Sequence, residues 1–169
     1  IKKLKQGNPL EAGITTGPVA RRDLADHLKA QLDSSVHQGA RLILGGGFNQ
    51  CNVEPALITG LKKGMAAFDE ETFGPLAAIA TASDEADAIR LANDSNYGLG
   101  AAIWTKDLER GLALAKKIES GSVFINALVK SDPRLPFGGI KHSGYGRELG
   151  VHGVREFVNI KTISAATEA

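Results

Sequence analysis

At 169 residues, with 43% hydrophobic and 23% charged side chains, the chain has the profile of a soluble globular domain with apolar mass enough for a core. Its 20 basic and 19 acidic residues leave a net charge of +1, which excludes the strong field that nucleic acid or an acidic membrane surface selects. A single cysteine excludes an internal disulfide framework, and no apolar run approaches the roughly 20 residues of a bilayer span, so a reducing, cytoplasmic setting is expected.

The chain begins at Ile1 without a Met, and Lys2-Lys3-Leu4-Lys5 is expected to be the tail of a helix whose start lies upstream. Gly7-Asn8-Pro9-Leu10 supplies a turn, and a polar loop runs to Gly17-Pro18. From Ala20 to His37, Leu24, Leu28, Leu32 and Val36 recur every four residues, the spacing of an amphipathic helix. Arg41 to Leu44 reads as a short strand ended by Gly45-Gly46-Gly47. Val53 to Thr59 reads as another, interrupted by Pro55 and so near an edge or a bend, with a loop at Asn49 to Asn52 between them.

Leu76 to Thr81 is an apolar strand, and Ser83 is the expected N-cap of a helix that runs to about Asn93. Tyr97-Gly98-Leu99-Gly100 turns the chain into a strand at Ala101 to Trp104. Thr105 is then expected to cap a helix that carries Leu108, Leu112, Ala115 and Ile118 and ends at Gly121, before a strand at Ser122 to Asn126. Strands alternating with helices over short connections predict an α/β fold built of right-handed βαβ units on a parallel sheet. In such sheets ligands gather beyond the carboxyl ends of the strands, which directs attention to the loops around Glu71 and after Asn126. Beyond these, Glu156 to Ile163 alternates apolar and polar residues, as a half-exposed strand in need of a partner does, and a small, polar tail follows.

Two segments carry chemistry. Glu70-Glu71-Thr72-Phe73-Gly74-Pro75 sets carboxylates and a ring beside a Gly-Pro bend, which suits hydroxyl recognition and stacking. Pro136-Phe137-Gly138-Gly139-Ile140-Lys141-His142-Ser143-Gly144-Tyr145-Gly146-Arg147-Glu148 packs glycines around a Phe and several charges. Together they read as half an active site. Cys51 has no adjacent base and no feature that lowers a thiol pKa, so it is expected to be unreactive. His27, His37, His142 and His152 lack metal-ligand spacing, and no metal is expected. The run Gly144 to Gly150 superficially resembles a phosphate loop, but no strand precedes it, and it is expected to be a turn.

Taken in order, Glu70 to Pro75, Asn93 to Leu99, Trp104 to Leu108, Gly121 to Asn126 and Pro136 to Glu148 resemble the aldehyde dehydrogenase superfamily nearly end to end. The resemblance is to the C-terminal part of a longer protein. It implies residues 1–155 as part of the catalytic domain, 156–163 as an oligomerisation strand joining like subunits, and 164–169 as a tail. Within the family the Ser-Asp-x-Arg arrangement, Phe-Gly-Gly and Gly-Arg-Glu-Leu are most like the bacterial succinate-semialdehyde dehydrogenases, which use NAD or NADP.

By that resemblance Glu71 accepts the hydroxyls of the nicotinamide ribose and Phe73 packs near the nicotinamide ring. The loop Leu128 to Leu135 lines the entrance to the aldehyde site. Ser131 falls where a serine binds the distal carboxylate of the substrate, and Phe137 matches a ring that bounds the aldehyde pocket. Arg134 is either the cation of that carboxylate receptor or an ordinary exposed arginine. The family's nucleophile and general base match nothing here, so no catalytic residue is assigned and the chain alone is expected to be inactive. Two alternatives stay open: oxidation of another aliphatic aldehyde, and a non-enzymatic module that associates with full-length subunits.

Overall fold

The computed structural model describes residues 1–166, and its contacts divide the chain into two compact units, Ile1–Ser83 and a second that begins at Asp84. The last part of the polar tail expected at 164–169 lies outside the described residues.

In the first unit the N-terminal basic stretch is not a helix end. One turn, Leu4 N–H to the Ile1 carbonyl, is followed by pairing with a later segment, in which Thr15 and Thr16 N–H both donate to the Lys5 carbonyl and Gly7 N–H donates to that of Thr16. That cross-chain pairing takes the hydrogen bonds a helix would have used.

Helix α1 spans Arg22–His37 and buries Ala25, Leu28, Gln31, Leu32 and Ser35. The expected stripe of every fourth residue is only partly buried, and Val36 is 39% exposed. At 3.6 residues per turn each step of four rotates the side chain by about 40°, so by Val36 the stripe has wound off the face that began at Leu24.

Strands β1 (Arg41–Leu44), β4 (Ala56–Thr59) and β5 (Leu76–Ile79) form a sheet in that spatial order β1-β4-β5, with β1 antiparallel and β5 parallel to β4. Helix α2 (Ala66–Asp69) lies in the crossover from β4 to β5, which makes this a βαβ unit. The expected strand at Val53 to Thr59 is split at Pro55, which has no N–H to give a ladder. Asn52–Val53 (β3) instead pairs with Phe48–Asn49 (β2), so the expected loop is a tight hairpin with Gln50 at a φ of 54°. Gly45, at a φ of 70°, ends β1 where a Cβ would stand 2.0 Å from the Pro55 carbonyl oxygen.

Ala25, Leu28 and Val53 form one buried cluster, and Leu32, Ala40, Ile58, Leu61, Met65 and Ala67 another; Phe48 and Leu76 pack against both. Ser35, fully buried on α1, accepts the Ala67 N–H at 2.9 Å and so satisfies a donor in the first turn of α2.

The second unit contains another βαβ unit, β7 (Gly100–Ile103), α4 (Leu108–Ala115) and β8 (Ser122–Ile125), with β7 and β8 parallel and in register from Gly100 opposite Ser122. Helix α3 (Glu85–Asn93) is capped by Asp84, which accepts the Asp87 N–H at 2.8 Å, and α4 by Asp107, which accepts the Arg110 N–H at 2.9 Å. The expected caps, Ser83 and Thr105, stand one and two residues too early.

Tyr97–Gly98 (β6) pairs antiparallel with Ile140–Lys141 (β9), and a short helix α5 covers Gly150–Arg155. Neither was expected; the glycines of both stretches had suggested turns. The buried positions among this unit's described residues are Gly98, Gly111, Gly139 and Gly153.

No strand forms over 156–163, where Phe157 and Ile160 are 89% exposed and Ile163 84%. An alternating sequence becomes a strand only where a second backbone completes its ladder, and none is paired with it here. Among the described residues no helix is long and apolar enough to cross a membrane.

Candidate functional site

The loop after α2 presents the first group of expected site residues. The Glu70 N–H closes α2 on the Ala66 carbonyl, and the Glu70 carboxylate then turns back to α1. There its Oε2 accepts Gln31 Nε2 at 2.9 Å and lies 3.7 Å from His27 Nε2. The same Gln31 amide donates to the Glu71 carbonyl at 3.1 Å. Glu71 is therefore held through its backbone, while its exposed carboxylate has no hydrogen bond or ion pair among the described residues. The two adjacent acids divide the work: Glu70 ties the loop to the fold, and Glu71 faces outward.

Two residues on, Phe73 is 71% exposed. Gly74 N–H bonds the Thr72 carbonyl and Leu76 N–H the Gly74 carbonyl, each at 2.8 Å, so the chain bends sharply before entering β5. Gly74 lies directly on α1, where a Cβ would come 2.4 Å from Leu28 Cδ2. Phe73, Gly74 and Pro75 form one wall of a cavity of about 270 Å³ whose other walls include Pro18, Val19 and Leu24. An exposed ring, an adjacent apolar hollow and an outward carboxylate on a fixed peptide suit a flat heterocycle joined to a diol.

The second group lies in the other unit, after β8. Ser131 is exposed. Asp132 and Arg134 form a fork-to-fork pair, with Arg134 Nε on Oδ1 at 2.9 Å and Nη2 on Oδ2 at 2.6 Å. The Arg134 N–H also donates to Oδ1, and the Leu135 N–H to the Asp132 carbonyl, which closes a turn. These bonds from Arg134 hold the Asp132 carboxyl down, from 3.8 to about 2, and the same pairing raises the arginine. Arg134 thus commits Nε and one Nη2 hydrogen to Asp132, while its Nη1, on a side chain 84% exposed, has no partner among the described residues.

Phe137 is half-buried and exchanges both backbone hydrogen bonds with Glu148, each at 2.8 Å. Arg147 Nη1 donates to the Gly139 and Gly146 carbonyls at 2.8 Å, so the Gly144 to Gly150 run is a scaffold for the Phe-Gly-Gly segment. Phe137 borders a cavity of about 460 Å³ shared with Leu99, Arg147 and Phe157.

Cys51 sits at the tip of the β2–β3 hairpin, where its carbonyl accepts the Val19 N–H at 2.8 Å. Among the described residues no group of three or more His, Cys, Asp or Glu could hold a metal ion. Sequence reasoning missed Gln31 and Arg147. Gln31 was within reach, because it lies three residues from Leu28 on the buried face of α1; Arg147 stood inside the Gly-Arg-Glu run, but its scaffold role rests on backbone carbonyls that a motif does not show.

A sequence model described as the aldehyde dehydrogenase family matches residues 1–163. The NAD(P)+ succinate semialdehyde dehydrogenase Sad of Escherichia coli is 45% identical over 95% of the chain and 35% of its own length. Succinate-semialdehyde dehydrogenase (NADP+) 1 of Mycobacterium ulcerans is 42% identical over 96% of the chain and 36% of its own. Among solved structures, succinic semialdehyde dehydrogenase from Streptococcus pyogenes in complex with NADP+ superposes with a TM-score of 0.89 at 42% identity, covering 94% of this chain and 35% of that one. The chain thus spans about 35% of the length of the curated relatives it matches.

Proposed function

The chain belongs to the aldehyde dehydrogenase family, and from that premise we propose that it forms part of an NAD(P)-dependent oxidoreductase that converts succinate semialdehyde to the dicarboxylate. Water adds its oxygen to the carbonyl carbon and a hydride leaves it, which the nicotinamide cofactor supplies the means to accept when bound. This chain's residues bind and orient. The Glu71 carboxylate accepts two ribose hydroxyls, and Phe73 covers one side of the ring. Ser131 donates to the distal carboxylate of the substrate, and Phe137 bounds the aldehyde end. Arg134, paired with Asp132 through Nε and Nη2, keeps Nη1 for that same distal carboxylate, as the cation of the receptor that Ser131 begins. No residue here is given the role of nucleophile or general base, and the chain expressed by itself is expected to be inactive.

The observation that carries this reading is Glu71: a carboxylate with no protein partner among the described residues, on a peptide pinned by Gln31, two residues from a ring that is 71% exposed. The test is Glu71→Gln in the complete enzyme. Loss of a charge-assisted bond to the ribose is expected to raise the cofactor KM about ten- to hundredfold, while the KM for aldehyde moves little. An unchanged cofactor KM would overturn the assignment. Comparing succinate semialdehyde with unbranched aldehydes that lack the second carboxylate tests the substrate: equal kcat/KM across the set would favour a general aliphatic aldehyde dehydrogenase.

A further inference from the structure

We propose that Gln31, on α1, is a positioning residue that sets where the Glu71 carboxylate stands, a role that rests on the cofactor reading of Glu71. Gln31 is 2% exposed, and its Nε2 makes two side-chain bonds to this loop, one to Glu70 Oε2 at 2.9 Å and one to the Glu71 carbonyl at 3.1 Å. Both partners accept only, so the amide nitrogen must face them; the opposite orientation would aim an oxygen at a carboxylate and a carbonyl. The Oε1 is buried with no hydrogen-bond partner among the described residues. A buried amide that satisfies only its donors is costly compared with an apolar side chain of the same size, so packing of α1 does not by itself account for a glutamine here.

The geometry gives the account. The Glu70 N–H is fixed by the end of α2, the Glu70 side chain and the Glu71 carbonyl by Gln31, and Gly74 by its seat on Leu28. The Glu71 Cα is thereby held on one side by its own carbonyl and on the other through the Glu70 side chain and N–H, while its side chain has no hydrogen bond or ion pair among the described residues. A carboxylate that must meet two hydroxyls at once gains from an origin that does not drift.

The experiment compares Gln31→Met, Glu71→Gln and the double variant in the complete enzyme, with cofactor KM, kcat and thermal midpoint measured for each. Gln31→Met keeps the volume and removes the donors. Expected are a three- to tenfold rise in cofactor KM, the scale of about one neutral hydrogen bond, and less than a twofold further rise when Gln31→Met is added to Glu71→Gln. A purely structural role would lower the midpoint and multiply the two effects independently, and that result overturns the proposal, as does an unchanged cofactor KM in folded Gln31→Met. If Gln31→Met does not fold, Gln31→Asn, which withdraws the donors by one methylene, takes its place under the same criteria. Should Glu71→Gln itself leave cofactor binding intact, the cofactor reading falls, and the role of Gln31 with it; should only Gln31→Met do so, the positioning role alone falls.

Discussion

Asp132 and Arg134 show how much a loop can gain from one pair of side chains. Their fork-to-fork contact joins positions two apart and encloses a turn that backbone bonds alone close only once. The folded carboxyl titrates at about 2, below its ordinary 3.8, so the pair supports the turn fully above pH 3.8 and loses that support as the pH falls through about 2. Arg134 is largely open to solvent and Asp132 partly so, and the contribution to global stability is small and weakens with salt. Carboxyl-carbon NMR of the chain is expected to give Asp132 a midpoint near 2, returning toward 3.8 in Arg134→Gln. A midpoint that stays low in that variant would assign the shift to the turn's N–H groups instead. The same clamp bears on recognition, since it fixes the guanidinium plane and leaves the Nη1 edge as the one that can take a second carboxylate.

At the level of elements, Ser35 is the joint between α1 and α2. Its hydroxyl meets the Ala67 N–H in a fully buried setting, so Ser35→Ala leaves that donor with no partner and is expected to cost about 1–3 kcal/mol. The check is a urea titration in which the midpoint falls while the slope is kept; an unchanged midpoint would mean that α2 finds another partner for the N–H. How far the elements were legible varies for physical reasons. Apolar runs and spacing located α1, β1, β4, β5, β7, α4 and β8, although Leu108 and Leu112 of the stripe on α4 stand more than half exposed. Cap positions slipped, since Ser83 is followed at once by Asp84, and Thr105 soon by Asp107, and composition does not say which of two good acceptors sits where the backbone turns helical. The β2–β3 hairpin and the β6–β9 ladder were hidden because strands of two residues carry no period. For the site, motif order pointed to Glu71 and Phe137, whereas Gln31 acts through contacts 39 and 40 residues away, and the partners of Arg147 and Arg134 are set by loop geometry that the motifs do not spell out.

Across the whole molecule, apolar surface is distributed unevenly. The large buried hydrophobic side chains among the described residues, such as Leu28, Ile58 and Val53, belong to the first unit, whereas Trp104, Leu112, Val154 and Phe157 of the second are each more than half exposed. Large apolar side chains left this exposed suit surfaces that other protein covers. We propose that 156–163 is one of them, an oligomerisation segment that becomes a strand when a like subunit supplies the ladder. Phe157→Ser with Ile160→Ser is then expected to reduce self-association in sedimentation velocity, with a far-UV dichroism change no larger than the loss of this one strand, and identical sedimentation would remove the segment from any interface. The interior of the second unit carries another consequence. A Cβ at Gly98 would meet Ile140 Cγ1 at 2.7 Å, at Gly111 Thr105 Cγ2 at 2.9 Å, at Gly139 Ser143 Cβ at 2.3 Å, and at Gly153 the Glu148 carbonyl carbon at 2.7 Å. The usual map of mutational tolerance shifts in this half of the isolated chain: exposed apolar residues such as Leu112 and Val154 can be trimmed with little penalty, whereas a side chain added at these buried glycines displaces a neighbour.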